Sequence, residues 1–234
     1  MTVLDLSVIL IFALCIYFGY RRGLVLSLYS VCGWVLSLFL AQLIYPYVNR
    51  FLQASFVYDL VYGLVEANLG LDELIAEKSV SVQNELINQL NLPSFITSIL
   101  QSGNNPVLYE LFEASNIAEY IYAYLTVIFI NVLSIILCFI IMSIVLRAVL
   151  RSLNIVTHLP VIHTLNRLGG IVAGALQGLI IVWISVLVIT GLIAVGSAPW
   201  LGETLEKSAV AYRFIDANFL IDIILNLTNA VPDY

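Results

Sequence analysis

Few residues in this chain are of a type and spacing to do chemistry. His158 and His163 stand five apart around Pro160. A histidine pair can move protons or hold a metal, but a zinc site needs three or four ligands from Cys, His and carboxylates. No Cys or acidic residue neighbours these two. Cys15, Cys32 and Cys138 each lie inside an apolar stretch, without disulfide or metal spacing, and read as small buried hydrophobes. There is no Gly-x-Ser-x-Gly elbow, no His-Glu-x-x-His, no phosphate loop ending in Lys-Ser/Thr and no pair of intramembrane aspartates. The expectation is a non-enzymatic protein with no cofactor and no metal.

What stands out instead is a pattern of small and polar residues within apolar runs. Gly170, Gly174 and Gly178 recur four apart, and Ser185 continues the stripe. In lipid such a face lets another backbone approach closely. A second stripe holds Gly33, Ser37 and Ala41, and a third holds Asn131, Ser134 and Cys138. Trp34 and Trp183 fall near mid-bilayer, and Asn131 and Gln177 are the most polar groups in the runs. Ser37, Asn131 and Gln177 are candidates for hydrogen bonds between helices, worth about 0.6–2 kcal/mol each. These faces suit packing within the chain, an interface between copies in a homo-oligomer, or the lining of a pore. Spacing alone does not choose among them. Asp5 is the one carboxylate close to a run. It reads either as a functional intramembrane acid or as an interfacial charge favoured by a helix N-terminus.

The elements that carry these residues are membrane spans. The chain of 234 residues is 62% hydrophobic and only 10% charged, with mean hydropathy +1.04. Soluble domains hold about a quarter charged residues, so lipid must be the solvent for most of this one. Four apolar stretches cover residues 3–20, 24–48, 117–146 and 168–198. Each is long enough to cross ~30 Å of hydrocarbon as a helix. The inner turn 19–23 carries Arg21 and Arg22, and the inner loop 147–167 carries Arg147, Arg151 and Arg167, with no acid in either. All fifteen acidic residues lie in the N-terminal tip, the middle segment 49–116, the outer start of the third run (Glu119) or the tail 199–234. Basic residues mark the cytoplasmic side, so the pattern predicts an all-α integral membrane protein of two hairpins, 1–48 and 117–198, with both termini outside. The arginines also suit anionic lipid, and the first run has the charge order of an uncleaved helix, not of a signal peptide. No basic patch suits nucleic acid.

The middle segment 49–116 is not a bare linker. Leu60, Leu64 and Ala67, then Val82, Leu86 and Leu90, recur at helical spacing, with breaks at Asn91-Leu92-Pro93 and Ser102 to Pro106. Short amphipathic helices are expected. The tail, with Leu201, Leu205, Ala209, Tyr212, Ile215, Phe219, Ile223 and Leu227, reads as an amphipathic helix broken near Asp216. All six prolines are expected at helix ends or in loops, Pro46 closing the second span.

Two segments together resemble the colicin V production protein (CvpA-like) family of bacterial membrane proteins. The first is Asp5 near the start of an apolar helix, followed by Gly19-Tyr20-Arg21-Arg22-Gly23-Leu24. The second is Leu165-Asn166-Arg167-Leu168-Gly169-Gly170 running into Gly174 and Gly178. The match covers the spans, about half the residues, but not segment 49–116 or the tail after 198. The resemblance implies a multi-pass protein of the bacterial plasma (inner) membrane. It implies a part in production or secretion of a peptide toxin, and in envelope or biofilm-related processes, through contacts with secretion or envelope membrane proteins. The residues it carries over are Asp5, Gly19, Arg21, Gly23, Asn166, Arg167, Gly170, Gly174 and Gly178. From the sequence, Asn166 and Arg167 are expected to cap and anchor the fourth span, and the glycines to set a helix contact distance.

Overall fold

The structure is a computed structural model that describes residues 2–71, 80–90, 92–152 and 163–216. His158 and the tail positions Phe219, Ile223 and Leu227 lie outside the described residues. Among the described residues there are ten helices and no strand: α1 (Val3–Arg22), α2 (Leu24–Gln53), α3 (Phe56–Leu69), α4 (Val80–Gln89), α5 (Ser94–Ser102), α6 (Pro106–Leu111), α7 (Ile117–Ser152), α8 (His163–Ala194), α9 (Pro199–Glu206) and α10 (Ala209–Asp216). Helices α1, α2, α7 and α8 are each long and apolar enough to span a membrane. Large side chains such as Leu10, Phe39, Ile144 and Val172 face outward from them, as lipid-facing residues must.

The spans are antiparallel neighbours in two hairpins, with α8 packed against α1 and α2, and α7 against α2 and α8. The short helices gather at one end. There α1 begins, α2 ends, α7 begins and α8 ends, and the described acidic residues lie at this end. The opposite end carries the Gly23 turn and the acid-free arginine segments.

At the acidic end α7 outruns the membrane. Its 36 residues span about 54 Å, and Ile117 to Leu125, apart from Glu119, are almost completely buried. The short helices wrap these first turns. Tyr109 of α6 stacks on Tyr120 at 4.9 Å, Phe112 meets Tyr124 edge-on at 5.7 Å, and Tyr62 of α3 meets Tyr122 at 6.0 Å. The hydroxyl of Tyr120 donates to the Leu100 carbonyl at 2.9 Å, and that of Tyr122 accepts from the Leu71 N–H at 2.5 Å. Asn116 caps α7, its side chain taking the Glu119 N–H, and the Glu119 carboxylate takes the N–H of the preceding Ser115.

Several sequence expectations need correction here. Pro46 lies inside α2, which continues to Gln53. Packing of Ala41, Tyr45 and Leu52 into the core outweighs the one hydrogen bond a helical proline removes. On α3 the buried face is Val61 and Val65, whereas Leu60, Leu64 and Ala67 point outward. Along and just beyond α4, Ile87 is buried while Leu86 and Leu90 are only partly so; the Val82 side chain lies outside the described residues. Both faces of these helices are apolar at adjacent positions, so a 3.6-residue period fits either one. The tail is two helices broken at Lys207-Ser208, not one helix reaching Asp216. Cys32 is exposed on the flank of α2 and only Cys138 is fully buried.

Candidate functional site

The family-like residues converge on the seam between α1 and α8. The helices run antiparallel, and their glycines remove the Cβ atoms that would hold them apart. A Cβ on Gly170 would fall on the Gly19 carbonyl oxygen, and one on Gly174 would fall on the Cys15 carbonyl oxygen and lie 3.1 Å from Ile16 Cα. A Cβ on Gly19 would strike the Gly170 carbonyl oxygen and approach Gly174 Cα to 2.8 Å. Gly178 is looser, 3.2 Å from the Phe12 ring. The obstacles at the first three are backbone, which cannot rotate away. The stripe of Gly170, Gly174 and Gly178 thus faces its own bundle. The stripe on α2 behaves otherwise: nothing lies within 4 Å of where a Cβ on Gly33 would stand.

The arginine end closes the seam. Gly23 alone separates α1 from α2, at φ +82°, where a side chain is strained. The volume a Cβ would take there is filled by the Asn166 side chain, its Cγ 2.8 Å away. Asn166 Oδ1 accepts the Val25 N–H at 3.4 Å. Because α8 already begins at His163, Asn166 serves the first turn of α2 and not the start of its own helix, which corrects the cap expected from sequence. Arg167 lies over the Tyr20 ring at 5.3 Å, and its Nη1 donates to the Tyr20 hydroxyl at 3.3 Å. Arg21 lies over Tyr17 at 5.9 Å.

The acidic end closes it again. Asp5 is 3% exposed. One carboxylate oxygen accepts the Thr2 N–H at 2.7 Å while the Thr2 hydroxyl takes the Asp5 N–H, a capping box at the head of α1. The other accepts the Ser208 hydroxyl at 2.5 Å and the Val210 N–H at 3.1 Å. Ser208, itself fully buried, accepts the Ala211 N–H at 2.9 Å and so caps α10. One carboxylate therefore ties together the N-termini of two helices some two hundred residues apart in sequence. Nothing in the sequence marks Ser208, and Tyr20 stands there only as part of the Gly19–Leu24 motif. The Thr2-x-x-Asp5 capping pattern was legible there, but nothing marked its distant partner.

Of the polar residues within the spans, Gln177 donates to Ser30 of α2 at 3.3 Å. Ser37 donates to the Gly33 carbonyl of its own helix at 2.7 Å, not across helices as expected. Asn131 is buried in α7, and Ser134 one turn on donates to Asn49 of α2 at 3.1 Å. Trp34 meets Phe139 edge-on at 6.3 Å. Among the described residues no cluster of three metal-ligating side chains occurs.

A bundle of four membrane-spanning helices, stitched at both ends by buried polar groups and drawn together by a glycine seam, is the class this geometry defines. The chain belongs to the colicin V production protein family, whose sequence profile matches residues 4–76 and 110–218. That match reaches α3, α9 and α10, beyond the spans that carry the sequence resemblance. No curated protein and no solved structure matches the chain.

Proposed function

We propose that this protein supports bacteriocin production or secretion from the bacterial inner membrane as a non-catalytic scaffold, acting through contacts made by its acidic end. Family membership supports the bacteriocin role. The scaffold reading rests above all on the backbone contact of Gly170 and Gly174 with α1, because it uses for packing the stripe that a pore would need for its wall. The acid-free arginine segments support a cytoplasmic arginine end, with both termini on the other side. Envelope or biofilm-related processes would be served by the same contacts. The open face at Gly33 favours one second reading, a small oligomeric channel in which α2 meets α2 of another copy.

One experiment tests side and partners together. Glu203 of α9 is exposed, and a Glu203→Cys variant in a toxin-exporting strain should react with a membrane-impermeant maleimide from the non-cytoplasmic side. A maleimide crosslinker there should then join it to secretion or envelope membrane proteins, above the level of the parent chain. Labelling only from the cytoplasmic side would overturn the orientation. Labelling without a crosslinked partner, together with toxin export unchanged by deletion of the protein, would overturn the scaffold role.

A further inference from the structure

A groove of about 300 Å³ runs along the outer flank of the seam between α1 and α8. Ile11, Leu14, Phe18 and Arg22 line it from α1, and Gln177 and Ile181 from α8. On α1 these positions fall on one face at helical spacing, and Leu14 and Phe18 are about half exposed, so the groove opens to the bundle's exterior. From Arg22 to Ile11 is eleven residues, about 16 Å along a helix, or half of a ~30 Å hydrocarbon core. The groove is therefore as deep as one leaflet. Its wall is mostly hydrocarbon: Cys15 adds a thiol, and Gln177 turns its amide N–H toward Ser30. Its mouth carries an exposed guanidinium, at an end of the molecule whose sequence contains no acid to pair with it. Arg21, one residue away, lies instead over the ring of Tyr17.

An apolar slot one leaflet deep with a cation at its interfacial mouth is complementary to a single amphiphile. We propose that it holds one anionic phospholipid of the arginine-end leaflet, with an acyl chain along Ile11, Leu14, Phe18 and Ile181 and the phosphate on Arg22. A guanidinium meets phosphate oxygens in a bidentate fork, which gives the headgroup a fixed position and not merely a diffuse attraction. The bound lipid would cover the flank of the seam where the glycines leave no side chains to do so.

The test is a lipid titration of the delipidated protein in detergent, with phosphatidylglycerol or phosphatidylcholine of matched chains, counting bound lipids by native mass spectrometry. The first phosphatidylglycerol should bind in preference to phosphatidylcholine. Arg22→Gln should weaken it about fivefold, and Arg21→Gln should leave it unchanged. Ile181→Trp, or Leu14→Trp at the more exposed wall, should abolish the first binding event by filling the slot. Equal losses in Arg21→Gln and Arg22→Gln would reduce the effect to general surface charge and overturn the site. No preference for the anionic lipid, or full binding in a folded groove-filled variant, would overturn it as well.

Discussion

Gly174→Leu should lower the thermal midpoint of the detergent-solubilised protein by roughly 6–12 °C, while Gly33→Leu should leave it nearly unchanged. The two glycines look alike in sequence, each in a stripe of small residues within a span. At Gly174 the new Cβ falls on the Cys15 carbonyl oxygen, with Cys15 C and Ile16 Cα both 3.1 Å away. Only a rigid shift of α1 or α8 relieves that clash. Overpacking a close contact costs typically 1–3 kcal/mol, and backbone obstacles place this one at about 3 kcal/mol. For a chain of this size 1 kcal/mol moves the midpoint by roughly 2–4 °C. At Gly33 the side chain enters open space on the flank of α2, as a surface change worth within about 0.5 kcal/mol. Melting curves followed by a thiol-reactive or light-scattering probe give the comparison. Equal shifts in the two variants would mean that the α1–α8 contact does not hold the bundle together.

Asp5→Ala should loosen the start of α10 from the bundle, leaving its Phe214 contact with Phe12. It removes the acceptor for the Ser208 hydroxyl, the Val210 N–H and the Thr2 N–H at once. A buried donor left without a partner costs about 1–3 kcal/mol, and Ser208 has no access to water. Partial fraying of α10 relieves some of this, so a loss of about 3 kcal/mol is expected in place of a full sum. Hydrogen exchange at Val210 and Ala211 should accelerate far more than exchange in α7. Ser208→Ala removes one partner and one helix cap, and should cost about 1–2 kcal/mol. Because both changes cut the same link, the double variant should fall well short of their sum. Additive losses would show that Asp5 and Ser208 act separately.

The spans, the end-to-end charge asymmetry and the glycine stripe on α8 were legible in sequence because each is a local pattern set by lipid. A run of apolar residues, a cluster of arginines and a four-residue spacing carry their meaning without knowledge of what they touch. The partner of the stripe was not legible. Gly19 and Cys15 present backbone, and backbone carries no residue-type signal. Asn166 sits where a helix cap would be expected, yet it serves α2, which only the hairpin geometry reveals. Which face of α3 and α4 packs inward is not legible because apolar residues stand side by side, as in Leu60-Val61 and Leu64-Val65, and the neighbour that chooses is α7 for α3 and α5 for α4. Ser208 is an ordinary serine until α1 brings Asp5 to it.

The central claim is that the small and polar residues of the spans close the bundle on itself and leave the protein to act by contact. It is tested most directly by flux. Protein reconstituted in liposomes and shown by its melting curve to be folded should pass ions and small solutes no faster than empty liposomes, whether wild type or Gly33→Leu. Flux in the wild type that disappears on placing leucine at Gly33 would contradict the claim, and would make the open face of α2 the wall of an oligomeric pore.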